Sequence, residues 1–135
     1  KKISGPLLDR IDLQVELNRL STEERFAATT TDESPRLRAI VAQARKRQQD
    51  RFADQNIPFN AAIPGGAVRE FCRLSDSATE HYKQLIDVNT LSTRSMDRLA
   101  KVARTIADLA KSETVEPVHV DKAASFVVGG MLRAG

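Results

Sequence analysis

Apolar and polar residues alternate at Ile11, Leu13, Val15 and Leu17, and the period then changes. Two-residue alternation puts every apolar side chain on one side of an extended chain, so this stretch predicts a β-strand with one buried face. Gly5-Pro6 ahead of it is loop chemistry. From Ser21 to Ser34 the chain is polar, with Thr29-Thr30-Thr31 and little periodicity, which predicts a linker or mobile loop. Beyond it, apolar positions recur at three- and four-residue intervals, the spacing of one helix face. Ser34-Pro35 predicts an N-cap followed by proline at the first helical position. The helix it opens runs to about Phe52, with Leu37, Ile40, Val41 and Ala44 on one face. Arg38, Arg45, Lys46, Arg47 and Arg51 fill much of the rest. Ile57-Pro58 and Ile63-Pro64-Gly65-Gly66 bracket a loop. A short helix over Ala67 to Arg73 follows, then another over Asp76 to Asn89, marked by Ala78, Tyr82, Leu85 and Ile86.

The strongest pattern covers Ser92 to about Ala110. Ser92 is suited to an N-cap. Met96, Leu99, Val102, Ala103, Ile106 and Ala110 form one stripe, and Arg94, Asp97, Arg98, Lys101, Arg104 and Asp108 are expected on the opposite, solvated side. A last helix is predicted from about Val120 to Arg133, with Val120, Ala123, Ala124, Val127 and Met131 inward. Asp121 lies near its first turn, where a negative charge suits the macrodipole. Gly129-Gly130 should weaken its end. The pattern is one strand followed by an all-helical domain. A lone strand cannot hide its edges or its face, so the chain is expected to be a fragment whose remaining sheet lies upstream.

Composition narrows the picture. The 135 residues suffice for one domain with a modest core. Aromatic residues make up only 4% with no Trp, so the core must be built from Leu, Ile, Val and Ala, which favours helices. The net charge of +3 is compatible with contact to nucleic acid and equally with a solvated arginine-rich surface. Cys72 is the single cysteine, which excludes an internal disulfide and makes a reducing, cytoplasmic setting the simplest expectation. No apolar run is long enough to span a membrane, and the N-terminus lacks the apolar core of a signal peptide.

Two arginines carry candidate chemistry. Arg10, between Asp9 and Asp12, is either a structural ion pair at a strand end or a cation held where it can reach a neighbour's phosphate. Arg94 falls in the first turn of its helix, where a positive charge opposes the dipole by roughly 0.3–1 kcal/mol. It is either an exposed arginine or one that awaits an anion beside the helix N–H groups. His81 and His119 have no Cys or second His at ligand spacing, so no metal site is expected and both read as surface or capping residues. Cys72, beside Phe71 and Leu74, reads as a small core residue. The sequence contains no nucleophile elbow. It also has no Gly-rich phosphate loop ending in Lys-Ser/Thr and no strand ending in adjacent acids. P-loop hydrolysis by this chain alone is therefore excluded.

Gly5-Pro6-Leu7-Leu8-Asp9-Arg10-Ile11-Asp12-Leu13-Gln14-Val15-Glu16 resembles the segment that closes the ATPase core in magnesium-chelatase-like AAA+ proteins. Leu91-Ser92-Thr93-Arg94-Ser95, with Arg98-Leu99-Ala100-Lys101-Val102-Ala103-Arg104-Thr105-Ile106-Ala107-Asp108-Leu109, resembles the second-sensor helix of their lid. Within that family the match is to the ComM-type competence branch. The resemblance implies a mainly α fold: a helical AAA+ lid bundle of about four to five helices over 35–135, a linker over 21–34, and one β-strand of the truncated core within 1–20. It implies that Arg10 is an arginine finger acting in trans on the γ-phosphate held by the next subunit, and that Arg94 is the sensor-2 contact to the nucleotide. ATP and Mg2+ belong to the full-length protein, with none bound by this fragment alone. The implied partners are its own upstream ATPase core, further copies in a ring (a hexamer by family analogy) and DNA, with Arg45, Lys46 and Arg47 as possible nucleic-acid contacts. The function implied is an ATP-driven motor for branch migration or helicase work. Two alternatives stay open: a chelatase-type remodeller of a protein partner, and a free-standing helical nucleic-acid-binding module.

Overall fold

A computed structural model describes residues 4–27 and 33–134. The helices are α1 (Gly5–Leu8), α2 (Thr22–Ala27), α3 (Ser34–Arg51), α4 (Val68–Cys72), α5 (Asp76–Asn89), α6 (Thr93–Leu109) and α7 (Pro117–Ala134), with short 3-10 turns at Asn60–Ala62 and Gly65–Ala67. The fold is mainly helical, as expected for an AAA+ lid. Among the described residues the β-pairing amounts to one isolated parallel bridge, Leu74 to Val115.

Local chemistry sets several helix ends. Ser75 accepts from the Ala78 N–H at 3.1 Å and Ser92 from the Ser95 N–H at 3.1 Å, so each closes a first turn that would otherwise leave donors unpaired. α5 ends at Thr90, whose φ of 51° turns the chain in the left-handed region and lets its N–H reach back to the Ile86 carbonyl.

α6 is the centre of the bundle and packs on two sides. Against α5 and α7, Leu99, Ala103 and Ala107 meet Ala78, Leu91, Val115, Val120, Ala123 and Val128. Against α4 and the segment that leads to it from α3, Ala100 meets Val68 and Cys72 of the helix and Phe52 and Ile63 of the segment. Phe52 and Phe71 stack edge to face, with centroids 5.3 Å apart. Alanines at the crossings let the helices approach closely, which is how an aromatic-poor chain builds a core.

Two-sided packing overturns one expectation. Arg98, Arg104 and Asp108 are buried rather than solvated. Arg104 and Asp108 form an ion pair of 3.1 Å with both side chains fully enclosed. Arg51 reaches the same carboxylate at 2.5 Å, and Asn60 donates to it at 2.9 Å. The Arg104 guanidinium also donates to the Glu113 and Ser112 carbonyls at 2.9 and 2.6 Å, tying the α6–α7 connection to the helix.

Other expectations shift in detail. Residues 10–20 lie outside helix and strand, and Leu13, Val15 and Leu17 are exposed. Alternation specifies a strand only where a neighbouring strand accepts its N–H and C=O groups, and no such neighbour lies among the described residues. Within the predicted linker, residues 22–27 are helical, while 28–32 lie outside the described residues. α3 begins at Ser34 itself with Glu33 in the cap position, so Ser34 is not the N-cap. Leu37 and Val41 are exposed, and burial on α3 begins at Ala44. α7 starts at Pro117, which leaves Asp121 beyond the first turn, and it continues through Gly129-Gly130 to Ala134.

Candidate functional site

The N-terminal segment, with no helix or strand of its own from Arg10 to Leu20, crosses the first turns of α6. α1 is capped by Ser4, which accepts from the Leu7 N–H at 3.3 Å, and it ends at Asp9. The chain then turns so that Asp9 and Asp12 both face α6 while Arg10 between them is exposed. Asp9 meets Arg94, Oδ2 to Nε at 3.9 Å, and accepts from the Ser95 hydroxyl at 3.4 Å. Arg98, one turn further along α6, donates to the Asp9 carbonyl and pairs through Nε with Asp12 Oδ1 at 3.2 Å. The Gln14 N–H donates to the Phe126 carbonyl of α7 at 3.0 Å. The segment thereby walls a cavity of about 540 Å3, whose lining includes Leu13, Arg94, Lys101, Val102, Ile106 and Phe126.

The two arginines of the α6 N-terminal half differ in kind. The Arg98 side chain is 8% exposed and its guanidinium is engaged at two atoms. The Arg94 side chain is 58% exposed, and a pair of 3.9 Å at such exposure contributes at most ~1 kcal/mol. Arg94 sits in the first turn of α6, where the helix N–H dipoles oppose its charge. The partially offsetting charge comes from Asp9, not from its own helix. Arg10 makes no ion pair among the described residues. The geometry therefore brings Arg10 and Arg94 to one edge of the bundle, joined through Asp9.

The basic stretch of α3 is arranged differently. Arg45 lies over the Phe59 ring at 5.8 Å, Lys46 pairs with Asp50 at 2.5 Å, and Arg47 approaches Glu113 at 4.0 Å. These acids dilute the positive field that phosphate-backbone binding uses. A second concavity beside α3 has a mixed-sign lining, with Lys46, Arg47 and Arg73 facing Asp50, Glu70 and Glu113.

Neither the thiol nor the imidazoles form a reactive centre. Burial pushes the Cys72 thiol up to about 11, so it stays protonated and inert at neutral pH. The His119 Nδ1 accepts from the Glu116 N–H at 2.9 Å at the start of α7, a capping role, and burial lowers its pKa. His81 meets Asp121 at 2.5 Å. No group of His, Cys, Asp and Glu suited to a metal occurs among the described residues.

Sequence reasoning singled out Arg10 and Arg94 but assigned Arg98 to solvent. The available signal was the spacing of Arg94 and Arg98, one turn apart on the helix, facing a segment with two aspartates three positions apart.

Residues 31–126 match the family model described as magnesium chelatase, subunit ChlI C-terminal. An uncharacterized protein of Mycobacterium tuberculosis is 35% identical over 132 residues, covering 98% of this chain and 26% of its own length. The uncharacterized protein YifB of Escherichia coli is 37% identical over 128 residues, covering 93% of this chain and 24% of its own. The competence protein ComM of Haemophilus influenzae is 28% identical over 126 residues, with the same coverage of 93% and 24%. The chain spans about a quarter of the length of these relatives.

Proposed function

The chain belongs to the magnesium-chelatase-like AAA+ family through its ChlI C-terminal domain, and from that premise we propose that it is the lid-bearing C-terminal part of a ring-forming ATPase that moves on DNA. In this reading Arg10 is the arginine finger offered to the nucleotide of the next subunit, and Arg94 is the sensor-2 contact from the lid. The observation that carries it is the shared anchoring of the two at Asp9: an exposed arginine on a segment held against the first turn of the helix that bears the other. A guanidinium suits this task because it is permanently charged and presents a fork of donors to phosphate oxygens. Charge spreads over the transferred group in phosphoryl transfer, and an arginine supplied in trans can accelerate it by roughly 10^3–10^5-fold.

ATP and Mg2+ would be gripped by an upstream core, because this sequence has no phosphate loop and the described residues include no acid group suited to the metal. Arg10 and Arg94 fit such a cofactor as phosphate contacts. The bound nucleotide supplies the transferable phosphoryl group; the lid residues supply charge and register. Hydrolysis that depends on a neighbour's arginine couples turnover to assembly, and a lid arginine couples it to closure. DNA is the substrate this reading assigns, in keeping with the likeness to a protein named for competence, and a cytoplasmic hexamer is the assembly it implies.

A chelatase-type remodeller of a protein partner is the second reading. It is favoured by the pairing of Lys46 and Arg47 with acids, which leaves α3 with a mixed-sign surface. DNA stimulation of ATPase activity in the full-length protein that falls steeply with salt selects the motor; no stimulation selects the remodeller.

The finger role is tested with Arg10→Ala in the full-length protein. Nucleotide affinity should stay within about twofold, while hydrolysis falls by roughly 10^3-fold. Mixed rings with subunits disabled in their phosphate loop should regain activity if the wild-type arginine acts across the interface. Wild-type turnover of the Arg10→Ala protein defeats the assignment.

A further inference from the structure

At the end of α6 furthest from Arg94, roughly 20 Å along the helix at about 1.5 Å per residue, the C-terminal ends of α3, α4 and α6 converge on the concavity beside α3. Its volume is about 800 Å3, the size of a ligand cleft. Two of its cations are already engaged: Arg51 holds Asp108 and Asn60, and Lys46 holds Asp50. Three others are not. Arg47 reaches Glu113 only at 4.0 Å, with that acid 87% exposed. Arg73 and Lys111 are exposed and form no ion pair among the described residues.

The fold itself does not call for Arg73 and Lys111. Both take a left-handed backbone, φ 49° and 60°, and they are two of the three described residues with positive φ. Glycine holds such a position without strain, so the turns alone do not select a long cation. A cation near a helix C-terminus offsets the carbonyl dipoles. Here that task falls to buried Arg104, which donates to the Cys72, Ser112 and Glu113 carbonyls at 3.3, 2.6 and 2.9 Å. The charges of Arg73 and Lys111 are thus surplus to the helix ends they follow, and both line the groove.

We propose that this groove docks an acidic segment of a partner protein, with carboxylates set against Arg73, Lys111 and Arg47 and an apolar residue against Phe71. Charge complementarity selects the class. Asp50, Glu70 and Glu113 stand among the cations. An evenly charged phosphate backbone would meet like charge at several points, which is costly at an interface. A peptide places its carboxylates one at a time and leaves the groove's acids facing neutral residues. Phe71, half-buried and stacked edge to face on Phe52, gives the groove a fixed apolar wall. An aromatic contact inside a polar rim is where interfaces concentrate their affinity. The proposal uses neither Arg10 nor Arg94, so it goes beyond the motor reading and fails or holds separately from it.

The test is fluorescence anisotropy at low ionic strength on the 135-residue chain, with a labelled Glu-Glu-Phe-Glu-Glu peptide as probe. The probe should bind roughly tenfold or more tighter than its neutral isostere Gln-Gln-Phe-Gln-Gln, the size expected for gaining charged hydrogen bonds. Arg73→Gly combined with Lys111→Gly removes both charges and relaxes both turns. The melting temperature should therefore hold or rise, while affinity for the acidic probe falls by roughly tenfold or more. Arg73→Gln with Lys111→Gln, which keeps the side-chain bulk, gives the same reading should the glycine pair not fold. Arg36→Ala, an exposed change at the far end of α3 whose ion partner is Glu33, should leave affinity within about twofold.

An acidic probe that binds no better than its neutral isostere overturns the proposal. So does affinity that ignores the Arg73 and Lys111 variants, or that is lost equally in Arg36→Ala. A short DNA duplex that binds through these same residues more tightly than the peptide overturns the assignment to a protein partner. Wild-type turnover in Arg10→Ala removes the finger reading and leaves the peptide result standing.

Discussion

Asp108→Asn is the substitution whose cost is most directly worked from this structure. The Asp108 carboxylate is completely enclosed and serves four donors: Arg51 Nη1 at 3.0 Å and Nη2 at 2.5 Å, Asn60 Nδ2 at 2.9 Å, and Arg104 Nη2 at 3.1 Å. Its two cationic partners are out of water as well, Arg104 fully and Arg51 to 16% side-chain exposure. An asparagine keeps one acceptor oxygen and turns the other into a donor aimed at guanidinium N–H groups. Two buried positive charges are then left without their counter-charge. Removing one partner of such a pair costs about 3–5 kcal/mol, against the ~0–1 kcal/mol of an exposed pair such as Lys46–Asp50. That is a large share of the ~5–15 kcal/mol that holds a domain folded. At roughly 4 °C per kcal/mol for a chain of this size, the melting temperature should fall by about 10–20 °C. Urea titration and thermal melting, both followed by far-UV circular dichroism, measure it. A cycle combining Asp108→Asn with Arg51→Gln should show strong coupling, because the second substitution removes one of the stranded cations. A loss below about 1 kcal/mol, or plain additivity in the cycle, would refute the argument that α3 is joined to α6 through a desolvated ion pair.

Two further expectations are narrower. Arg94→Ala in the full-length protein should raise KM for ATP or lower kcat, while the stability of the 135-residue chain changes by no more than about 0.5 kcal/mol, since loss of the exposed Asp9 contact is offset by relief from the helix dipole; both kinetic parameters at wild-type values would make Arg94 a surface residue only. His119 should weaken the fold in mild acid: burial, aided by the nearby Arg104 charge, holds its pKa below 6.5, so the unfolded chain takes up the proton first. Its contribution is fully present above pH 6.5 and lost as pH falls through the folded value. Protonation also removes the Nδ1 acceptor used by the Glu116 N–H. Denaturation curves at several pH values should show a shallower acid loss for His119→Ala; parallel curves would show that this imidazole does not govern the transition.

Much of the fold was legible because it is local. The caps at Ser75 and Ser92 and the apolar periodicity of α5 and α6 lie within a few residues of what they organise, and the helices form where those signals put them. α2 carried such a signal too: Ser21 and Glu24 exchange hydrogen bonds with each other's N–H at 2.7 and 3.2 Å, a capping box within a stretch read as linker. The candidate site was legible only in part. The residue types at Arg10 and Arg94 pointed to phosphate chemistry, but the contact that joins them, through Asp9, spans most of the chain and has no local trace.

The sequence by itself determined where the helices from α3 to α7 lie, that Ser92 caps the strongest of them, and that the core is aliphatic. Tertiary structure alone decided which faces are inside. A hydrophobic stripe marks one buried face of a helix; it cannot reveal that a second neighbour will cover the charged side as well. Arg104 and Asp108 pair within α6, but what buries them and Arg98 comes from far along the chain, Arg51 and Asn60 on Asp108 and Asp12 on Arg98, and a strand over residues 11–17 needs a neighbouring ladder that alternation does not supply. Helical propensity is written within a turn or two, whereas the environment of a charge is written by whatever packs against it.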